Sequence, residues 1–313
     1  MIEYKTAAPQ PEFAVPTGNM YRQEEIAGKG RGLVATTTLL VGTVLITEQP
    51  LIVAEKADKT EIVAAFQRLS EEKKEQVLSL YDFGSALANQ NEMEVKIIRI
   101  FCGNSIDLCA HEEMNINKSG LYPTISLVNH SCVPNVVWSW MLTDCSRRAK
   151  QVKVIRVIKE GEEILASYCG VGEIFPTKAE RRIFLRFWQF TCQCKICSLT
   201  GDELKANDEA RKKITNFHED VTSFARAGLL TQSLEATKRK IKIMKSIKEE
   251  MILYIPSALM ECCEMAAHCN KYKELNAEKL MKKAKEMSEQ SGDCFVYNYQ
   301  KKETKISKIL RKK

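Results

Sequence analysis

Four short segments of the chain hold residue types that can do chemistry. Gly28-Lys29-Gly30-Arg31-Gly32 alternates glycines with cations. Such glycines let a backbone approach a ligand closely and take positive φ, and the two cations between them suit a carboxylate or a phosphate. A tight turn ahead of a strand uses the same residues, so both readings stand. The segment is neither a phosphate loop nor a dinucleotide fingerprint, because the spacings those need are missing. Asn129-His130-Ser131-Cys132-Val133-Pro134-Asn135 sets polar side chains and a rigid proline beside the apolar stretch that ends at Val128. Buried polar groups must find partners, so this loop is either a knot of internal hydrogen bonds or the wall of a polar site. Gly161-Glu162-Glu163-Ile164-Leu165-Ala166-Ser167-Tyr168 reads as a turn and a short strand ending on a tyrosine. Taken alone, such a tyrosine packs in a core with its hydroxyl satisfied. Cys192-Gln193-Cys194-Lys195-Ile196-Cys197 puts three thiols within six residues, which favours a metal over three unligated cysteines. Tetrahedral zinc takes four ligands and suits thiolates. The fourth must come from elsewhere, with Cys132 and Cys169 as candidates.

These segments sit on elements whose patterning changes along the chain. Residues 1–20, with Pro9, Pro11 and Pro16, read as a loose leader. Residues 21–53 read as short strands with turns, including 43–47, and residues 60–101 as helices. Ser70 with Glu72 and Lys73 resembles a capping box, and Val77, Leu78 and Tyr81 form an apolar face. Residues 120–168 return to strands, among them the β-branched run 151–158, which ends at the turn Lys159-Glu160-Gly161. After Cys197 the apolar residues follow helical spacing, as in Ile214, Phe217, Val221 and Phe224, and then Leu230, Leu234, Ile241 and Met244. The expectation is an array of antiparallel helices joined near Ala227-Gly228, Pro256 and Gly292. The seam falls near Thr200-Gly201-Asp202. The fold class is α+β.

Composition narrows the options. The chain has 313 residues, 44% hydrophobic and 28% charged, as one large or two ordinary soluble domains would. Its first residues show no apolar signal core, and no run of about 18 apolar residues suggests a membrane span. Twelve cysteines at uneven spacing in a long chain fit a reducing compartment, nucleus and/or cytoplasm, better than a disulfide scaffold. The net charge of +7 lies in residues 201–313, with 24 Lys and Arg against 17 Asp and Glu. The last thirteen residues hold seven basic groups against Glu303 alone. They are read as a solvated terminus, or as a nuclear-import or nucleic-acid contact. No aromatic is interleaved there, so direct nucleic-acid binding is not expected.

Together and in this order, the four segments resemble the SET domain, especially the SET-and-MYND branch of protein lysine methyltransferases. The resemblance rests on Asn129-His130-Ser131-Cys132-x-Pro134-Asn135, Gly161-Glu162-Glu163-Ile164, Tyr168 and the Cys-x-Cys-x-x-Cys at 192–197. It covers residues 21–53 and 120–200, with the helical tail resembling that branch's C-terminal domain less specifically. It implies small β-sheets with a pseudoknot, inserted helices, a cysteine-rich post-SET zinc site and an all-helical C-terminal domain. The implied boundaries are a leader at 1–20, a SET domain at 21–175 with a helical insertion at about 54–119, a post-SET zinc segment at 176–200 and the helical domain at 201–313. It further implies S-adenosylmethionine held by the positions of Lys29, Gly30, Arg31, Gly32, Asn129, His130, Tyr168 and Phe190. Zinc is implied on Cys132, Cys192, Cys194 and Cys197. Tyr168 would position the substrate lysine for methyl transfer, and the substrate would be a histone or another protein.

The chain departs from that family at three points. Residues 52–101 contain neither Cys nor His, so no MYND finger is expected there. Trp188 stands at a position that often holds a second active-site tyrosine and would line the substrate channel; indole donates a hydrogen bond but does not accept one as a phenol does. The asparagine that often precedes Gly120-Leu121-Tyr122-Pro123 has only Asn104 as a substitute. These departures keep a second reading open, a SET-fold scaffold or protein-binding module with weak or no transfer. The helical half is also expected to offer a surface to a protein partner.

Overall fold

The computed structural model describes residues 19–84, 93–108, 118–140, 148–169, 176–291 and 293–312. Nearly all of the leader expected at 1–20 falls outside these residues, as do Cys109, Cys145 and the Gly292 joint.

The first half is built from small sheets. β1 (Tyr21–Ile26) and β2 (Gly30–Ala35) form an antiparallel hairpin. Its turn needs the left-handed region at Gly28 (φ +73°) and Gly30 (φ +70°), which is where glycine is uniquely tolerant. β3 (Val44–Glu48) and β4 (Ile52–Glu55) follow and part into different sheets. β5 (Ile106–Asp107) and β6 (Lys118–Leu121) join β4 in the antiparallel order β4-β6-β5. β7 (Asn129–His130), β8 (Val136–Trp140), β9 (Lys150–Val154) and β10 (Leu165–Ala166) complete the set. The order β3-β9-β8 is antiparallel, and β7 pairs in parallel with β10. The expected strand 151–158 stops at Val154; the chain then bends, and Ile158 forms a separate bridge with Leu39.

Helices α1 (Lys59–Gln67), α2 (Glu71–Leu78) and α3 (Met93–Asn104) cover the β4–β6 sheet. Ile62, Phe66, Val77, Ile97 and Phe101 bury there against Ile52 and Leu121. Asp58 caps α1 by accepting from the Glu61 amide at 2.8 Å. Two expectations fail here. Ser70 stands at the N-cap of α2 but its side chain makes no capping bond. Tyr81 is 55% exposed instead of lying on an apolar face, because α2 ends at Leu78 and the chain turns away.

After α4 (Lys178–Leu185), six further helices make up the second half: α5 (Gly201–Arg226), α6 (Leu230–Ser246), α7 (Lys248–Met251), α8 (Ile255–His268), α9 (Ala277–Ser291) and α10 (Asp293–Arg311). Their apolar stripes meet in one core that includes Ile214, Leu234, Ile241, Met244, Leu259 and Ala266. Pro256 lies in the first turn of α8, not in a loop, at a place where its missing N–H is no loss. The helical half also packs on the sheet of the first half, where Lys153 Nζ donates to the Glu289 carbonyl at 2.6 Å. No helix among the described residues is long and apolar enough to cross a membrane. The whole is an α+β architecture.

Candidate active site

The loop 129–135 is a hydrogen-bonded knot that also walls a site. Its backbone runs beside the strand that follows Gly161. The Ser131 amide donates to the Ala166 carbonyl at 2.8 Å, and the Asn135 amide to the Leu165 carbonyl at 2.9 Å. Asn135 adds two side-chain bonds, to the Glu163 carbonyl at 2.8 Å and from the Leu165 amide at 2.7 Å. Arg156 ties off the loop by donating to the carbonyls of Val133 and Pro134.

Asn129 faces the β1–β2 hairpin. Its amide nitrogen donates to the Arg31 carbonyl at 3.1 Å and to Glu163 Oε1 at 3.0 Å. The other carboxylate oxygen of Glu163 takes the Lys29 ammonium. A cation, an anion and a fixed amide therefore sit together beside glycine backbone. Gly32 leaves no room for a side chain: an added Cβ would stand 2.7 Å from Ile26 Cγ1, 2.8 Å from Asn129 Nδ2 and 3.2 Å from Glu163 Oε1. Gly32→Ala is accordingly expected to dislodge the Asn129 amide, to lower stability by about 1–3 kcal/mol and to weaken any ligand held by this cluster. Paired thermal melts and titrations would check both effects.

Tyr168 ends the strand on the other side of the loop. Its amide donates to His130 Nδ1 at 2.9 Å, and its hydroxyl donates to the Val128 carbonyl at 2.9 Å. Since Nδ1 accepts, the His130 proton resides on Nε2, which lies 3.3 Å from Cys132 Sγ and donates to it. Burial holds the His130 pKa down to about 4. Burial, reinforced by the charge of Glu163, pushes the Tyr168 phenol above its ordinary value. Four aromatic rings enclose Tyr168, with centroids at 5.2 Å (His130), 6.1 Å (Trp138), 5.2 Å (Trp188) and 6.3 Å (Phe190). Phe190 also packs 5.9 Å from His130. Trp188 is held in place by its indole N–H, which donates to the Gly103 carbonyl at 3.1 Å. Tyr168 and Trp188 open onto a cavity of about 1100 Å³ between the sheets and the helical half, whose far wall includes Met251 and Leu253.

Behind Tyr168, the sulfurs of Cys132, Cys192, Cys194 and Cys197 all lie within 4.8 Å of one another. Cys132 is 3.5 Å from Cys197 and 4.0 Å from Cys192. Four sulfurs around a tetrahedral zinc, each at about 2.3 Å, stand about 3.8 Å apart. The donor set and spacing thus fit such an ion. Hydrogen bonds from the other sulfurs, Cys132 first, hold the Cys194 thiol far below its ordinary value, while the same mutual contacts push the Cys132 thiol up. Cys169, the other candidate fourth ligand, stays outside the cluster; burial pushes its thiol up to about 11.

The SET domain family matches this sequence over residues 30–169, the stretch that holds β2, the 129–135 loop and Tyr168. Those residues are a SET domain. The histone-lysine N-methyltransferase set5 of Schizosaccharomyces pombe is 29% identical over 197 residues, covering 62% of this chain and 55% of its own length. The N-lysine methyltransferase SMYD2 of Homo sapiens is 28% identical over 155 residues, covering 50% of this chain and 31% of its own length. The chain therefore spans from about a third to about half of the length of the curated relatives it matches.

In and around that stretch, the structure brings Lys29, Gly32 and Asn129 together on one side of the loop, and His130, Tyr168, Phe190 and Trp188 on the other. Gly30 serves the hairpin turn. Arg31 is divided: its carbonyl accepts from Asn129, but its guanidinium donates to the Ser79 carbonyl at the end of α2, where a cation is favoured. Asn104 spends its amide on the carbonyls of Tyr81 and Ile100, at 2.9 and 2.8 Å, and is thus a brace for the end of α3. Three participants were not singled out by sequence. Glu163 stood inside a quoted motif without a role. The Val128 carbonyl left no trace in residue type. Arg181, in the charged run Glu180-Arg181-Arg182, was given no role.

Proposed function

We propose that this chain is an S-adenosylmethionine-dependent protein-lysine N-methyltransferase resembling the SET-and-MYND branch, with a histone or non-histone protein as substrate. The observation that carries the reading is the Tyr168 hydroxyl. Its one proton is committed to the Val128 carbonyl, so its oxygen is left as an acceptor beside an apolar cavity large enough for a side chain. The names of the relatives, lysine methyltransferases of two kinds, support the same chemistry.

The charged cluster at the hairpin suits an amino-acid zwitterion. Lys29 and the Arg31 backbone lie on the hairpin, Glu163 supplies an anion for an ammonium, and Gly32 lets the chain approach. When bound, S-adenosylmethionine supplies a methyl group on a positively charged sulfur. The protein's part is to deliver a neutral amine along the line of that bond. A free lysine has a pKa of about 10.4. Apolar walls at Val128, Val136 and Trp138 disfavour an ammonium beside them, in a cavity whose lining also carries Lys150, Asp107, Glu180 and Glu250. A hydrogen bond from the neutral amine to the Tyr168 oxygen then aims its lone pair. The far wall contributed by residues 251–254 makes the helical half part of the surface offered to a protein substrate. Zinc on Cys132, Cys192, Cys194 and Cys197 holds the loop against the segment at 192–197. The reduced thiols that such a site needs support a nuclear or cytoplasmic setting.

Calorimetric titration of the zinc-replete protein with S-adenosylmethionine, followed by transfer of labelled methyl to protein lysines, tests the reading. One-to-one binding with transfer is expected; a folded, zinc-loaded sample that binds no cofactor would overturn it.

One observation favours a second reading, a SET-fold scaffold with weak transfer. The Trp188 ring lies directly against Tyr168, and its N–H is committed elsewhere, so this position offers the substrate amine no acceptor. Under the first reading Trp188→Tyr is expected to change the transfer rate by less than about fivefold, whereas a rise of 100-fold or so, read by the same labelled-methyl assay, would make Trp188 the block.

A further inference from the structure

Arg181 is among the largest fully buried side chains of the molecule, with 2% exposure. The helix that carries it begins with a capping box: Thr177 accepts from the Glu180 amide and Glu180 returns to the Thr177 amide. That start turns Arg181 and Leu185, one helical turn apart, toward the interior. A guanidinium keeps its proton under all ordinary conditions, so burying it demands an anion. Among the described residues, none of its nitrogens bonds a carboxylate. Nη1 donates to the Pro176 carbonyl at 2.9 Å, Nη2 to Cys197 Sγ at 3.6 Å, and Nε has no partner among the described residues.

The Pro176 carbonyl has a second donor. Arg211 Nη1 reaches it from α5 at 3.4 Å. Arg211 is itself buried and paired with Glu250 of α7, and Asn207 joins the two by accepting from Arg211 Nε at 3.1 Å and donating to Glu250 at 2.7 Å. One carbonyl thus stands between two guanidiniums. One of them faces the four sulfurs, and the other faces the carboxylate of the helical half.

We propose that Arg181 is the counter-charge of the metal–thiolate centre, and that the carbonyl it shares with Arg211 couples metal occupancy to the seating of the helical half. The inference rests on the metal reading above. Four thiolates around a dication leave a net charge of −2, which a buried cation at sulfur distance offsets. When the metal leaves, the four sulfurs lose the ion that gathers them beside Arg181, and the buried guanidinium loses its organised counter-charge. The relief open to it is movement toward water or toward Glu250, and either displaces Pro176 and the start of α5.

Zinc itself is the probe, and the test uses the full chain. Competition with a chromophoric chelator measures zinc affinity, and amide exchange measures the seating of residues 201–211 and 248–251. A wild-type protein that holds no zinc sinks the metal reading and this inference with it. If it holds zinc, Arg181→Met is expected to lower zinc affinity 10- to 100-fold, with Arg181→Lys in between, because a lysine keeps the charge but not the fork. Stripping zinc from the wild type is expected to speed exchange in both helical stretches. Arg211→Met is expected to speed it with zinc still bound, at a zinc affinity within about threefold of wild type. The outcome against the inference is an Arg181→Met protein within about twofold of wild-type affinity, or exchange unmoved by zinc removal. Should Arg181→Met fail to fold, the lysine variant and Arg211→Met carry the same comparison.

Discussion

Replacing Tyr168 by phenylalanine is expected to slow methyl transfer on the order of 100-fold while leaving S-adenosylmethionine affinity within about twofold. The ring keeps its packing against His130, Trp138, Trp188 and Phe190, so the cavity wall survives. Only the hydroxyl goes, and with it the acceptor that aims the amine. The Val128 carbonyl loses its donor, a loss of about 1–3 kcal/mol in stability for a buried unpaired group. Because burial raises the phenol's pKa, the side chain stays protonated through neutral pH. The wild-type rate should therefore climb with pH as the substrate amine, not Tyr168, gives up its proton. Single-turnover transfer across a pH series, beside cofactor calorimetry, checks both claims. An unchanged rate in Tyr168→Phe would remove Tyr168 from the mechanism.

Cys132→Ser should have the largest effect on the folded state. Structural zinc contributes about 10–16 kcal/mol of apparent binding energy to sites of this kind, and a hydroxyl is a poor replacement for a thiolate. Loss of stoichiometric zinc is expected, with a melting temperature lower by roughly 10 °C. Cofactor binding should weaken too, although Cys132 does not face that pocket. It follows Asn129 by three residues, and its sulfur accepts from His130, whose other nitrogen holds the Tyr168 amide. Metal analysis, melting curves and titration of the same samples separate these effects. Full zinc retention in the serine variant would exclude Cys132 as a ligand.

Much of this was legible in the sequence because local spacing carries it. Three cysteines within six residues announce a metal, and Gly28 and Gly30 announce a turn with positive φ. The apolar stripes through Ile214 and Leu234 announce packed helices. What stayed hidden depends on contacts between distant residues. Arg181 drew no reading, because the sulfur it meets, on Cys197, is sixteen residues away and is not a neighbouring acid. Glu163 gained meaning only when the fold set it between Lys29, 134 residues away, and Asn129, 34 residues away. The Ser70 cap failed for a local reason of geometry: its side chain makes no bond to α2, although its carbonyl still accepts from Lys74. Trp188 illustrates the limit differently. Its residue type showed that no phenol stands there, but only the bond to the Gly103 carbonyl shows what fixes the indole.

The parallel pairing of β7 with β10, and the meeting of Cys132 with Cys192 and Cys197, bear on how the chain is made. Residues 129–135 gain the strand partner of β7 only at 165–166, and the sulfur cluster closes only at 197. A ribosome adds about 5–20 residues per second, so several seconds separate synthesis of the Asn-His loop from that of its last anchor. Through that interval Leu33, Ile125, Val128 and Val136 belong to a core that is not yet closed. The domain is thus completed only once residue 197 has been made, after chaperones and a supply of zinc have had time to meet the nascent chain.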